Sequence, residues 1–413
     1  MSQRAIRAAP WVLLAIAVLI KAAWYLPPWL GDFRVYHTAA AALLHGQPLY
    51  DVSVPYVDPT VNQGTLVFTY PPFAAVLVIP FAFLSASTAG LIFFVLNFVL
   101  LAVVCRIVGG QLEAVAGRTL PWSGWPLAMV LIAVALVERP VVHLFNLGQI
   151  GLVLMLMILL DTFVVVRGRG VLTGLATGIK VTPGLFLLLM ATTRRWRQFW
   201  VGCATFAATV LVGFLIQPAS GWRYWTELIF DSERVGNAAR TDNSSVLGVV
   251  TRAVEPPYAQ IVWLVIAVAV LAAGTWLATD WWRRNRLVSL CVMAVAGLVA
   301  LPISWDHHWI WIIAIVPVFG LLALRGWRAG HRAAAAWAGL AAVTLFGVSV
   351  GHPESYAAKI LVGTGELTPT AQLLVTGYSV AGLLILVAAW RARVIVPRTT
   401  EDNSLREPAQ MGS

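Results

Sequence analysis

Apolar runs of about twenty residues recur along the whole chain, and they leave little room for any fold not built from membrane-crossing helices. A helix needs about 20 apolar residues to cross the hydrocarbon layer. Runs of this kind occupy 9–30, 88–108, 125–140, 149–166, 198–216, 259–279, 287–303, 308–324, 333–350 and 371–390. Two further stretches, 73–84 and 171–193, are shorter or interrupted, so ten to twelve crossings are expected. Only 11% of the 413 residues are charged, against roughly 25% in a soluble domain. Lipid must therefore be the solvent for much of the surface. The expected fold is all-α, one polytopic transmembrane domain over 1–396 followed by a disordered cytoplasmic tail over 397–413.

The net charge of +10 does not point to nucleic acid, because the basic residues gather in short loops. These are Arg167 and Arg169; Arg194, Arg195 and Arg197; Arg283, Arg284 and Arg286; Arg325, Arg328 and Arg332; and Arg391, Arg393 and Arg398. Such loops face the cytoplasm and its anionic headgroups. The basic Arg4 and Arg7 lead into a first span read as a retained anchor. The opposite face then receives the loops 31–72, 217–258, 304–307 and 351–370. It collects most of the unusual polar residues, including Asp32, His37, Asp51, Asp58, Arg240, Asp242, Asn243, Asp306, His307, His308, His352 and Glu354. Within 171–193, Arg169 and Arg194 both belong on the basic side, and Gly178-Ile179-Lys180-Val181-Thr182-Pro183-Gly184 interrupts the run. Proline and glycine break helices. Two half-helices dipping into the membrane are expected, with Lys180 near the turn and its backbone lining a cavity. In the first outer loop, Val35 to Leu44 favours helix and Gly46 stops it. Val35, Ala39 and Ala42 are expected to face the membrane.

Asp32 follows the first span directly, where a carboxylate can meet a water-soluble group on one side and a lipid on the other. It serves either as a helix cap or as a general base, a role worth roughly 10²–10⁴ in rate. Asp306, His307 and His308 stand together at a membrane boundary, where ionisable groups are costly unless used. Asp306 would orient a histidine or a sugar hydroxyl. His307 and His308 cannot share a helical face, so no metal is expected there. Lys180 either snorkels to a headgroup or supplies a cation to a lipid phosphate. Arg139, Asn146 and Gln149 are outer-face partners on the same argument, and Glu138 is expected to pair with Arg139. Arg240, Asn243 and Arg252 lie in a loop that either contacts sugar or phosphate or simply caps itself. Cys105, Cys203 and Cys291 lie in apolar runs without metal-ligand spacing. Phosphate-binding glycine loops and a Ser-His-Asp pattern are lacking, which argues against a nucleotide-driven pump.

In order along the chain, Gly31-Asp32-Phe33-Arg34-Val35-Tyr36, His45-Gly46-Gln47-Pro48-Leu49-Tyr50-Asp51, Phe68-Thr69-Tyr70-Pro71-Pro72, Asn146-Leu147-Gly148-Gln149, Gly178-Ile179-Lys180-Val181-Thr182-Pro183, Asn243-Ser244-Ser245 and Ser304-Trp305-Asp306-His307-His308 form one set. This set resembles the GT-C membrane glycosyltransferases, and within them the bacterial polyprenol-phosphate-mannose-dependent α-1,2-mannosyltransferases that act on phosphatidylinositol mannosides or branch lipomannan. The resemblance implies a GT-C architecture, a polyprenyl-phosphate-mannose donor, a mannosylated glycolipid acceptor and no cofactor. It implies an active site on the extracytoplasmic face of the bacterial plasma membrane and transfer with inversion. Asp32 occupies the position of the catalytic acid in the first outer loop, with His307 or His308 assisting. Lys180, Arg139, Arg240 and Arg252 would meet the donor phosphate. Asp306, Asn146, Gln149, Asn243, His37 and Tyr36 would bind substrate. The competing reading is a transporter or flippase of a lipid-linked sugar. Its signature, paired halves with matching broken helices, is not evident in the sequence.

Overall fold

With lipid as solvent, apolar side chains gain nothing by hiding from their surroundings, so helices meet through small residues that let backbones approach. The helix Tyr258–Trp282 follows this rule. It exposes Ile261, Leu264, Val265 and Val268 and buries Ala259, Ala267, Gly274 and Ala278. A Cβ added at Gly274 would stand 2.3 Å from Ala296 Cβ on the next helix.

The computed structural model describes residues 8–18, 28–58, 62–254, 257–364 and 368–398. In chain order the helices are α1 (Ala8–Val18), α2 (Gly31–Leu44), α3 (Pro72–Ala82), α4 (Ala86–Ala116), α5 (Trp125–Ala135), α6 (Arg139–Leu147), α7 (Gly151–Phe163), α8 (Val171–Ile179), α9 (Gly184–Thr192) and α10 (Trp196–Ile216). They continue with α11 (Pro218–Thr226), α12 (Val246–Thr251), α13 (Tyr258–Trp282), α14 (Arg286–Ala300), α15 (Ile312–Arg328), α16 (Arg332–Gly351), α17 (Pro353–Thr364), α18 (Pro369–Val375) and α19 (Gly377–Ala392). A 3-10 turn, Asp306–Trp311, leads into α15. Among the described residues, five helices are long and apolar enough to cross a membrane, α15 being counted with the turn that leads into it, or seven if α5–α6 and α18–α19, bent by 81° and 50°, each count as one. The fold is that of an all-α polytopic membrane protein.

Several spans differ from their sequence boundaries. The run 125–140 stops at Ala135, and the chain turns sharply so that Pro140 enters the first turn of α6, where its missing N–H is harmless. The run 149–166 yields only the 13 residues of α7, about 20 Å of helix. Of the run 9–30, residues 19–27 lie outside the described residues. The stretch 73–84 becomes α3, 11 residues long, about 16 Å and too short to cross. In the first outer loop, an antiparallel pair joins β1 (Ser53–Asp58) to β2 (Asn62–Val67), with Ser53 opposite Val67. No strand is read from the sequence in this loop; Pro55 sits within β1 of this isolated two-stranded pair, where an edge position tolerates it.

Helix α2 starts at Gly31, earlier than the expected Val35, and ends at Leu44. Val35, Ala39 and Ala42 do not face lipid. All three are buried, because α2 packs against α3 and α4. Phe33 anchors this contact, stacked on Phe93 at 4.9 Å and edge-on to Phe81 at 5.8 Å.

Helices α8 and α9 form the two halves of the expected hairpin, with the break at Lys180–Pro183. Gly170 lies against Gln198 and Gly202, Gly174 against Gly202 and Thr205, and Gly178 against Thr209. Helix α8 therefore runs parallel to α10, and α9 returns alongside, in contact with both. Both ends of the hairpin lie on one side, where Asp161 accepts the Gly170 N–H at 2.9 Å and the Thr173 hydroxyl at 2.6 Å. Lys180 closes α8 in an extended conformation, at the far tip.

The arginines collect at that same side. Arg195 lies 4.5 Å over the Trp282 ring and within electrostatic reach of Arg169 and Arg286. Arg325 donates to the Val115 carbonyl at 3.0 Å. Arg284 donates to the Arg393 and Val396 carbonyls, and Arg284 and Arg398 both pair with Asp280. Arg398 thus belongs to the packed body, and 399–413 lie outside the described residues. Helix α15 starts at the Asp306–Trp311 turn and ends at Arg325 and Arg328; its 17 residues hold the two ends about 25 Å apart.

The α8–α10 contact yields a prediction. A Cβ at Gly174 would stand 2.4 Å from the Gly202 carbonyl oxygen, a backbone atom that cannot rotate away. Gly174→Leu should destabilise the protein by at least the usual overpacking cost of about 1–3 kcal/mol. Gly347→Ala, with nothing within 4 Å, should leave stability unchanged or raised. Thermal unfolding in detergent checks both, and equal melting of wild type and Gly174→Leu would contradict the packing.

Candidate active site

The site is built on two turns docked against each other. At the first, Leu30 adopts a left-handed conformation (φ 56°) immediately before α2, a strain of roughly 1–3 kcal/mol for a non-glycine residue. Asn146 holds it there. The Trp29 N–H donates to Asn146 Oδ1 at 3.2 Å, and the Leu30 N–H to the Asn146 carbonyl at 2.6 Å. At the second turn, Gly148 has φ +68° and lies so close to Phe33 that a Cβ would stand 2.7 Å from Phe33 Cβ. Only glycine meets both demands. The next residue, Gln149, is buried and turns its amide toward α2.

That amide is held from both sides. Gln149 Oε1 lies 3.0 Å from the Tyr36 hydroxyl and 3.3 Å from the Tyr70 hydroxyl, which are 2.9 Å from each other. Burial above all, then Tyr70 and the Asp32 carboxylate, push the Tyr36 hydroxyl well above its ordinary value. Burial and Asp32 do the same at Tyr70. Both stay protonated, and a protonated hydroxyl donates to the amide oxygen. Gln149 Nε2 is thereby fixed toward Asp32 and donates to its Oδ2. Asp32 and Tyr36 stand one turn apart on the same face of α2.

Lys180 approaches from the tip of the α8–α9 hairpin. Its ammonium lies 5.3 Å from the centre of the Tyr70 ring, a cation–π contact, and 3.2 Å from His308 Nε2. An ammonium can only donate, so His308 accepts at Nε2 and carries its proton on Nδ1. Lys180 and His307 are both within electrostatic reach of Asp32. Behind them Asp306 is fully engaged. Arg139 Nε donates to Oδ2 at 2.8 Å, His143 Nδ1 lies 2.7 Å from Oδ1, and the His307 N–H donates to Oδ1 at 2.6 Å. Asp32, Lys180 and the Asp306-His307-His308 corner thus meet at the end of the helices opposite the arginines. A carboxylate with one oxygen held and a lysine ammonium within electrostatic reach of it can accept a proton and neutralise an anion in one place.

Residues 68–304 match the profile of glycosyltransferase family 87. A polyprenol-phosphate-mannose-dependent alpha-(1-2)-phosphatidylinositol mannoside mannosyltransferase of Mycobacterium tuberculosis is 35% identical over 77% of this chain and 76% of its own length. Its counterpart in Mycolicibacterium smegmatis is 32% identical over 76% and 75%. A phosphatidylinositol pentamannoside mannosyltransferase of the same name type in Mycolicibacterium smegmatis is 35% identical over 84% and 83%. The chain belongs to glycosyltransferase family 87. It is a multi-pass membrane protein of that family, and the matched region carries Tyr70, Arg139, His143, Gln149 and Lys180, stopping just short of Asp306.

In the family 87 chain the other expected site residues make structural bonds around the site. Asn146 clamps the Leu30 turn. Asn243 is buried, with Oδ1 accepting from Ser245 and Ser304 and Nδ2 donating to the Ala238 and Pro302 carbonyls; two of these bonds fix the loop's own turn and two tie it to Pro302 and Ser304. Arg252 donates to the Arg240 and Asn243 carbonyls. Arg240 pairs with Asp242 and lies over Trp305. His37 bonds the Leu84 carbonyl at 3.0 Å. Glu138 does not pair with Arg139, which turns to Asp306; neither Glu138 oxygen has a partner.

Two site residues were missed. Tyr70 lay in a quoted motif, but its hydroxyl had no sequence-local partner. His143 stands four residues after Arg139, and that spacing on one helix face was the available signal. With it, His143, Asp306 and His307 offer ligand atoms all within 4.8 Å of one another, an arrangement not expected from His307 and His308 alone.

Asn146→Ala removes the side-chain acceptor of Trp29. Stability should fall by about 1–2 kcal/mol, the cost of a lost hydrogen bond at a partly buried donor, and sugar transfer should fall further because the strained turn that aims Asp32 relaxes. Melting temperature and transfer rate together check this; a stability loss with full activity would contradict it.

Proposed function

We propose that this chain moves mannose from polyprenyl-phosphate-mannose to the 2-hydroxyl of a mannosylated glycolipid, a phosphatidylinositol mannoside or lipomannan, forming an α-1,2 linkage. The observation that carries the reading is the approach of Lys180 and His307 to within electrostatic reach of Asp32, with Lys180 also bonded to His308, taken together with relatives whose names state this chemistry. The pocket opens on the extracytoplasmic face of the bacterial plasma membrane. Support for that face is the clustering of arginines at the other end. Residues 1–396 form one GT-C domain on this reading.

Asp32 is the general base. Held through Oδ2 by Gln149, it takes the proton of the acceptor hydroxyl as that oxygen attacks the anomeric carbon. The bond between that carbon and the phosphate oxygen breaks on the opposite side, and the phosphate departs with the electron pair. One base and direct displacement invert the anomeric centre, as in inverting hydrolases. Lys180 neutralises the leaving phosphate, a preorganised charge of the kind that dominates such catalysis. Arg139 backs this charge through Asp306. Arg240 and Arg252 contribute by closing the loop over Trp305. An apolar groove of about 380 Å³, lined by Leu112, Leu127, Leu131, Val134, Ile313 and Leu321, ends at Glu138 beside Arg139. It suits the prenyl chain of the donor.

Asp32→Asn should cut mannosyl transfer by more than tenfold, given the usual size of general-base effects, while donor binding persists. Retention of more than about a tenth of the activity would reject the base role. Lys180→Ala should weaken donor binding, read as a raised KM for polyprenyl-phosphate-mannose. Unchanged donor affinity would reject the phosphate contact.

A further inference from the structure

His307 is buried, yet neither of its ring nitrogens has a hydrogen-bond partner. A buried polar group left unpaired is costly, so a ring held this way calls for a ligand. His307 Nδ1 lies 3.5 Å from Asp306 Oδ1, and the ring meets His143 edge-to-face at 5.6 Å. His143 reaches the same carboxylate from α6, with Nδ1 2.7 Å from Oδ1. We propose that His143, Asp306 and His307 form a binding site for a divalent cation of the zinc or cobalt class.

Two imidazoles and a carboxylate are the donor set such ions take. Donor atoms on a tetrahedral ion with bonds of about 2.1 Å stand about 3.4 Å apart. The His307–Asp306 separation already meets this, and the His143–Asp306 contact needs to open by less than an ångström. His143 is partly exposed, so its ring has room to do so. Arg139 holds the second oxygen of Asp306, the type of outer contact that orients a ligating carboxylate. Three protein donors leave a coordination position open, the arrangement of reactive rather than purely structural sites. The binding claim stands on these side chains alone; only its use, a positive charge beside the donor phosphate, rests on the proposed reaction.

The test uses the full-length protein in detergent, stripped with chelator and titrated with Co²⁺, then competed with Zn²⁺. One equivalent of Co²⁺ per chain should bind with the visible absorption of a nitrogen- and oxygen-ligated ion and be displaced by Zn²⁺. His143→Ala and His307→Ala should each weaken binding at least tenfold, and His331→Ala, at the arginine end, should not. His143, being partly exposed, gives a readout even if His307→Ala fails to fold. No Co²⁺ equivalent in the wild type, or equal binding by folded His143→Ala, would overturn the inference. Mannosyl transfer by a wild type that binds no metal would overturn it while leaving the proposed function intact.

Discussion

The hydrogen bond from Gln149 to Asp32 is the joint on which the pocket depends. It exists because two turns far apart in sequence dock together. Asn146 holds Leu30 in a left-handed conformation, and Gly148 admits Phe33 where any side chain would collide. The tyrosine pair then leaves the Gln149 amide one orientation. A carboxylate on the first turn of a helix would otherwise turn toward its own N–H groups. Here it is turned into the pocket.

The same economy appears in the helices that bring the other partners. Those that cross fully, such as α4, α10 and α13, carry exposed apolar faces and contribute little chemistry. The polar groups come from helices that break. Lys180 stands where α8 stops, Arg139 and His143 where α5 bends into α6, and the histidine corner where a 3-10 turn precedes α15. Interrupted backbone within a membrane must be covered by protein or face a cavity. The breaks therefore converge, and their charged side chains meet there.

Much of this was legible in the sequence. Asp32, Lys180, Gln149, Tyr36 and the Asp306-His307-His308 corner were singled out, because charged or amide groups at the ends of apolar runs are conspicuous. The α8–α9 hairpin was legible too, from arginines at both ends and a proline-glycine break in the middle. What sequence alone did not give was pairing across distance. His143 and Tyr70 look ordinary until the residues they meet, 163 and 79 positions away, are known. For Asn243 and Arg252 the sequence left two readings, substrate contact or a loop that caps itself, and the bonds they make within the loop and to Pro302 and Ser304 were not readable from spacing. The apolar face of α2 was read toward lipid, since in a membrane protein an apolar stripe packs equally well against lipid or against protein. That degeneracy also blurred the ends of the spans, where hydropathy continues through a bend that only Pro140 betrays.

The account is tested most directly by the product. Purified protein incubated with polyprenyl-phosphate-mannose and a phosphatidylinositol mannoside acceptor should release polyprenyl phosphate and give a glycolipid one mannose larger, its new linkage α-1,2 by methylation analysis and NMR. A β-configured product, or consumption of the donor only by movement across the bilayer with no new glycosidic bond, would contradict it.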